Sequence, residues 1–205
     1  MSVRDTLFGD VPLDRWPEGE GADSFPWSAF VLARSQLAEG RLPAAIASWQ
    51  EVLAKPGLES RQSLQACHFL RQHGVQPPKE SAKALLGVVV EVGMPQGLDI
   101  LAAYVDRSAR YYNFSGAGVV WERPDESLDA LIDNLLAAGA TVVARIGPWD
   151  KERPAAPPSG QIRLSFLTPS GLHFGQGPMN AFARDALAGP VIQSATQLMQ
   201  ALTRK

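Results

Sequence analysis

The 205-residue chain has one cysteine, Cys67, and three histidines. A single thiol excludes an intramolecular disulfide and a thiol metal cluster. His68 and His73 stand five apart in a helical stretch, share a face poorly, and have no acidic residue to complete a metal motif. No metal and no cofactor are expected. Neither sign of charge dominates, with 19 Lys and Arg against 21 Asp and Glu. Without a basic excess to neutralise phosphates, nucleic acid is not an expected partner. No apolar run approaches the roughly 18–20 residues needed to span a bilayer, so no membrane partner is expected. The first ten residues lack the apolar core of a signal peptide. Together these absences lead us to expect a soluble, cytoplasmic protein.

Catalytic constellations are also missing. No serine sits in a nucleophile elbow, because Ser115-Gly116 and Ser170-Gly171 read as turns. No spacing pairs Asp99, Asp106 or Glu122 for acid–base work. Cys67 with His173 would make a thiol pair only through tertiary proximity, and a cysteine on an apolar helical face is usually a small core hydrophobe. Whether the protein is an enzyme stays open, with the balance against it.

What the sequence does have is a run of β-rich segments. Val88 to Val92, Leu98 to Val105, Arg110-Tyr111-Tyr112-Asn113-Phe114 and Val119-Val120-Trp121-Glu122 follow one another, with Gly, Pro, Asp or Ser at every junction. Short β-branched and aromatic runs between turn formers predict an antiparallel meander. Residues 79–85 read as a short helix leading into it. After it, Asp125 as a cap, Leu128, Leu131, Ile132, Leu135 and Leu136 on one face, and Gly139 as a stop predict a helix. Residues 141–146 are β-branched and alternating and read as a strand. Residues 147–160 are Pro-rich and read as a loop. Gln161 to Leu167 and Leu172 to Gly175 flank Thr168-Pro169-Ser170-Gly171, which predicts a hairpin. Residues 178–187 read as a short helix broken at Gly189-Pro190, and residues 191–202 as a final one.

The N-terminal third is different. Residues 1–26 combine Pro, Gly and acidic residues with Leu7, Phe8, Leu13, Trp16 and Phe25, which reads as an irregular arm laying Phe8 and Trp16 across the body. Residues 27–78 turn helical. Phe30, Ala33 and Leu37 run to Gly40. Pro43 opens a second helix with Ala45, Ile46, Trp49, Val52 and Leu53 on one face, and Leu64, Cys67, Phe69 and Leu70 mark a third. Over residues 27–57, Leu32, Ala33, Gly40, Leu42, Ala45, Ile46, Trp49, Leu53 and Pro56 resemble one tetratricopeptide repeat in type and spacing. Gln36 departs from that pattern where the family prefers an aromatic, and Pro77-Pro78 interrupts any second repeat. The resemblance implies a helix pair, expected here as a cap on the sheet domain.

From Gly87 the order is strands, helix, strands, helix. The expected fold class is therefore α+β, a mostly antiparallel meander with packed helices, preceded by a small all-helical region. That element order loosely resembles profilin-like and roadblock-type domains, which implies helices laid against an antiparallel meander and nothing about function. The expected organisation is an arm over 1–26, a helical region over 27–78 and an α+β domain over 79–205.

Three places could carry binding. Alternation puts Tyr111 and Asn113 on one face of their strand, and Arg110, Tyr112 and Phe114 on the other, with Tyr104 one strand back. Tyr, Asn and Arg supply stacking area and hydrogen bonds suited to recognition. Trp121-Glu122 and Trp149-Asp150 each place an indole beside a carboxylate, which could line one pocket if they meet; loop tryptophans more often plug a core edge. His173 and Gln176 lie in Leu172-His173-Phe174-Gly175-Gln176-Gly177-Pro178, where flanking glycines could expose N–H groups to an anion or merely serve a hairpin end.

The preferred expectation is a non-catalytic protein-interaction or adaptor module using an aromatic sheet surface, with a protein partner or a second copy. The alternative is a small-molecule binder or enzyme with a pocket between the sheet and the 147–160 loop, lined by Tyr112, Trp121, Trp149, His173 and Gln176.

Overall fold

A computed structural model describes residues 2–13 and 22–205, and the chain divides into two compact units, Met1–Ser81 and Ala82–Lys205. Trp16 lies outside the described residues. No helix among them is long and apolar enough to cross a membrane.

The first unit is helical: α1 (Val3–Phe8), α2 (Trp27–Ala38), α3 (Leu42–Ala54) and α4 (Ser60–Gln72). The expected irregular arm in fact opens with a helix. The Ser2 hydroxyl accepts from the Asp5 N–H while the Asp5 carboxylate accepts from the Ser2 N–H, and these reciprocal bonds start α1. Leu7 and Phe8 are buried, and Val11 exchanges two hydrogen bonds with the Gln65 side chain of α4. Helices α2 to α4 follow their apolar periodicity. Phe30 meets Phe69 edge-on at 5.9 Å, Trp49 lies 5.5 Å from Phe69, and His73 stacks on Trp49 at 5.2 Å.

The second unit is an α+β domain. Strands β1 (Gly87–Met94), β2 (Gly97–Tyr104), β3 (Ala109–Tyr112) and β4 (Gly118–Trp121) form the expected meander. Helix α5 (Asp129–Val143) returns the chain to β5 (Gln161–Thr168) and β6 (Gly171–Pro178), followed by α6 (Met179–Phe182) and α7 (Ala188–Leu202). The six strands are all antiparallel, in the order β4-β3-β2-β1-β5-β6.

Each strand alternates, so the sheet has two distinct faces. On the first, Val88, Val90, Leu101, Ala103, Ala109, Trp121, Ile162, Leu164 and Phe166 form the core with Ile132 and Leu135 of α5 and Val191 and Leu198 of α7. On the second stand Val89, Glu91, Ala102, Tyr104, Arg110, Arg163 and Ser165, all buried. The 147–160 loop crosses this second face at the end of β1. A Cβ on Gly93 would lie 2.1 Å from the Pro158 carbonyl oxygen, so only glycine allows the loop that close.

Four readings of the second unit need correction. Residues 141–146 are not a strand: α5 continues to Val143, straight through Gly139. A Cβ at Gly139 would sit 2.8 Å from Val88 Cγ2 and 3.1 Å from Phe166 Cδ1, so this glycine lets the helix approach the sheet and does not end it. The Thr141 hydroxyl donates to the Ala137 carbonyl one turn back, so its polar group is satisfied within the helix. Lys83 Nζ then donates to the carbonyls of Val143 and Ile146, supplying partners at the helix end. Residues 79–83 are turns. Residues 183–187 are turns as well, so only Met179–Phe182 of the expected penultimate helix forms. Finally, Gly189-Pro190 lies in the first turn of α7, where a proline removes no intrahelical hydrogen bond. The Asp185 carboxylate accepts from the N–H groups of Leu187 and Ala188 just ahead of it.

Candidate functional site

The β3 register separates the candidate aromatics as alternation requires. Arg110 and Tyr112 face the second side, and Tyr111 faces the helices. Arg110 is buried. It pairs with Glu122, donates to Ser108 Oγ at 3.2 Å, and lies 5.9 Å from the Tyr104 ring centroid. Glu122 itself is exposed. Tyr112 is half-buried, with its ring lying against Gly118 on β4, where a Cβ would come within 2.3 Å of the ring. Asn113 serves the β3–β4 turn. Its side-chain oxygen accepts from the N–H groups of Ser115 and Ala117 and from the Ser115 hydroxyl, holding a local loop. Tyr104, Arg110 and Glu122 therefore form one cluster, with Tyr112 one pleat further along the same face of β3.

Two large apolar side chains of the β3–β4 hairpin stay open to water. Val120 on β4 is 51% exposed, and Phe114 in the β3–β4 turn, set against Gly97 at the start of β2, is 45% exposed. Strand β4 ends the sheet, and among the described residues the backbone groups of Gly118–Trp121 bond only to β3.

Trp121 and Trp149 do not meet. Trp121 is buried on the first face at the β4 edge, with Lys205 Nζ 5.1 Å from its ring centroid. Trp149 lies at the opposite edge, where its N–H donates to the Leu172 carbonyl of β6 and its ring meets Phe174 edge-on at 5.1 Å. Five strand spacings of about 4.8 Å separate those two edges.

His173 and Gln176 are also parted by the alternation of β6. The strand continues past Gly175 to Pro178, so no anion loop forms there. Phe182 of α6 occupies the space a side chain at Gly177 would need, a Cβ there lying 2.3 Å from the ring. His173 is fully buried on the first face, and neither ring nitrogen has a hydrogen-bond partner among the described residues. Burial, with a smaller effect from nearby Lys83, pushes it down to about 4 from its ordinary 6.5, so it is neutral at pH 7. Gln176, on the second face, accepts from Arg163 Nε at 2.9 Å and donates to Gln161 at 2.6 Å. Arg163 also donates to the Pro154 carbonyl of the crossing loop and stands 3.5 Å from the buried Glu91 carboxylate. Cys67, on α4, has its thiol pushed up by burial, the opposite of activation for a nucleophile.

A cavity of about 90 Å³ opens on the first face, between the sheet and α7. Val90, Leu101 and Ile162 from the sheet and Ile192, Ala195 and Met199 from α7 form its apolar walls, and Asp99, Tyr111 and Thr196 are its polar members. Tyr111 donates its hydroxyl to Asp99 Oδ2 at 3.0 Å, and the Phe114 N–H donates to Asp99 Oδ1 at 2.8 Å. Burial first, and then the Asp99 carboxylate, raise the Tyr111 phenol, which keeps it a neutral donor.

Sequence reasoning did not single out Glu91, Arg163 or the Asp99–Tyr111 pair as sites. The charges inside Val88–Val92 and Ile162–Phe166 are a visible signal for the first two, since an ionised group within an apolar strand needs a partner. Nothing local marks Asp99. No protein-family model, curated protein or solved structure matches this chain.

Proposed function

We propose that this protein is a non-catalytic module for protein association, with the β4 rim of the sheet as its contact surface. One observation carries the reading: β4 ends the sheet with its outward backbone groups unbonded among the described residues, and Val120 on it is exposed. Gly118-Val119-Val120-Trp121 contains neither lysine nor proline, two of the devices that keep an exposed edge from pairing. An extended segment of a partner, or β4 of a second copy, would add to this edge as a seventh strand. Main-chain hydrogen bonds would give affinity, and Val120 and Tyr112 would give side-chain selectivity. The Arg110–Glu122 pair fixes the ground behind that rim. A cytoplasmic location suits the single free thiol, which a reducing compartment preserves.

Sedimentation over a range of concentrations, together with co-purification from the native cell, tests this with Val120→Lys as the control. The expected result is a dimer, or a retained partner, that the lysine variant loses while its melting temperature stays put. A wild-type chain that remains monomeric and retains nothing sensitive to Val120→Lys overturns the proposal.

A small-molecule site between the sheet and the 147–160 loop is the second reading. Arg163, tied to Pro154 of that loop, is its best support. It is the weaker one, because Tyr112 and Gln176 lie on one face of the sheet and Trp121 and His173 on the other.

A further inference from the structure

The cavity beneath α7 lies on the face opposite the Arg163 cluster and is lined by residues that the association reading does not use. Its walls are apolar, and it has one charged member, Asp99. That carboxylate is half-buried and held in place by two hydrogen bonds, one to each oxygen, from Tyr111 and from the Phe114 backbone. Both donors are neutral. Each carboxylate oxygen can accept a second bond, and Asp99 makes no ion pair among the described residues. A fixed carboxylate with spare acceptor sites and no countercharge, set in an apolar wall, favours a positive group over a neutral or negative one.

The volume limits the tail that such a group can carry. A cavity near 150 Å³ takes a benzene ring, and drug-sized ligands need about 300 Å³ or more. At about 90 Å³ this cavity holds some four or five non-hydrogen atoms in a linear chain. Met199, at its edge, has an unbranched thioether able to shift around such a chain.

We infer that this cavity is a binding site for a short, linear aliphatic primary ammonium ion. The alkyl chain lies between Val90, Leu101 and Ile162 of the sheet and Ile192 and Ala195 of α7. The ammonium group donates to Asp99, with the Tyr111 hydroxyl holding the carboxylate in place.

Titration of the whole ¹⁵N-labelled protein with n-butylammonium, 1-butanol and butyrate, at constant ionic strength, tests the inference. With n-butylammonium, amide shifts should concentrate at Ile192, Ala195, Thr196 and Met199, with a Kd at least about tenfold below that of 1-butanol; butyrate should move none of them. Asp99→Asn keeps a hydrogen-bond acceptor and removes the charge, and should bring n-butylammonium to the level of 1-butanol. Ala195→Leu fills the space and should abolish both. Equal shifts from n-butylammonium and butyrate, no localisation to α7, or an Asp99→Asn variant that binds n-butylammonium as wild type does would each overturn the site. If Asp99→Asn fails to fold, the three-probe comparison on wild type decides alone. Val120→Lys should leave the titration unchanged, which separates this site from the proposed association rim.

Discussion

The two faces of the sheet are both buried, but by opposite chemistry. Against α5 and α7, Val88, Val90, Leu164 and Phe166 meet Ile132, Leu135 and Leu198 in an apolar contact that any well-fitting hydrophobic set could replace. On the other face Glu91, Arg110 and Arg163 are buried among Val89, Ala102 and Tyr104, each charge placed against an opposite one. The first face stabilises by removing area from water. The second depends on every ionised group keeping its partner, because a buried charge left alone is costly. The helix face therefore tolerates volume-conserving change, whereas the other tolerates little change in charge.

That contrast can be broken most sharply at Glu91. Glu91→Leu keeps an apolar neighbour for Val89 and strips Arg163 of a carboxylate, and we expect a loss of about 3–5 kcal/mol in urea unfolding. A loss below about 1 kcal/mol would show that the second face does not depend on charge pairing.

The helix face also carries a buried imidazole, His173, and pH reveals it. The fold holds this imidazole neutral down to about 4, whereas in the unfolded chain it takes up a proton near its ordinary 6.5. Stability is therefore complete above pH 6.5 and falls as pH drops towards 4, by about 3 kcal/mol from this residue. His173→Leu should flatten the profile over that window relative to wild type. Parallel profiles for the two proteins would refute the buried neutral state.

Gly139→Ala probes the closest helix–sheet approach. The better helix propensity of alanine gains about 1 kcal/mol, while the contact with Val88 costs about 1–3 kcal/mol, so a net loss of about 1 kcal/mol is expected by thermal melting. A stabilised variant would mean that α5 can lift at no cost. The smallest stability effect belongs to Val120→Lys, within about 0.5 kcal/mol of wild type, because an exposed edge position carries no core contact. A larger loss would mean that β4 is part of the fold's support and not a free rim.

How much of this the sequence disclosed depends on the range of the physics involved. The meander, α5 through Leu136 and the 168–171 turn are local, and period and turn chemistry reveal them. The split of Arg110 and Tyr112 from Tyr111 is likewise a consequence of pleating. The misread 141–146 segment shows where locality fails. Its β-branched residues point to a strand, but Gly139 packing on Val88 and Lys83 bonding the last carbonyls come from elsewhere in the chain. Whether Trp121 and Trp149 meet is undecidable locally for the same reason, since only strand order puts them at opposite edges. Of the candidate residues, Asn113 turned out to hold a turn, and the cavity on Asp99 arises from α7 and four strands together, which no window of sequence contains.

The pairing of β1 with β5 has a consequence for how the chain assembles. Gly87 and Leu167 are neighbours across this seam, yet the entire meander and α5 lie between them. The hairpins of β1 to β4 close over short loops, while the β1–β5 seam must wait for a long loop whose closure entropy is offset only once α5 has packed. Until then β1 is a bare valine-rich rim, so a nascent or truncated chain ending before β5 would expose the most adhesive strand in the molecule.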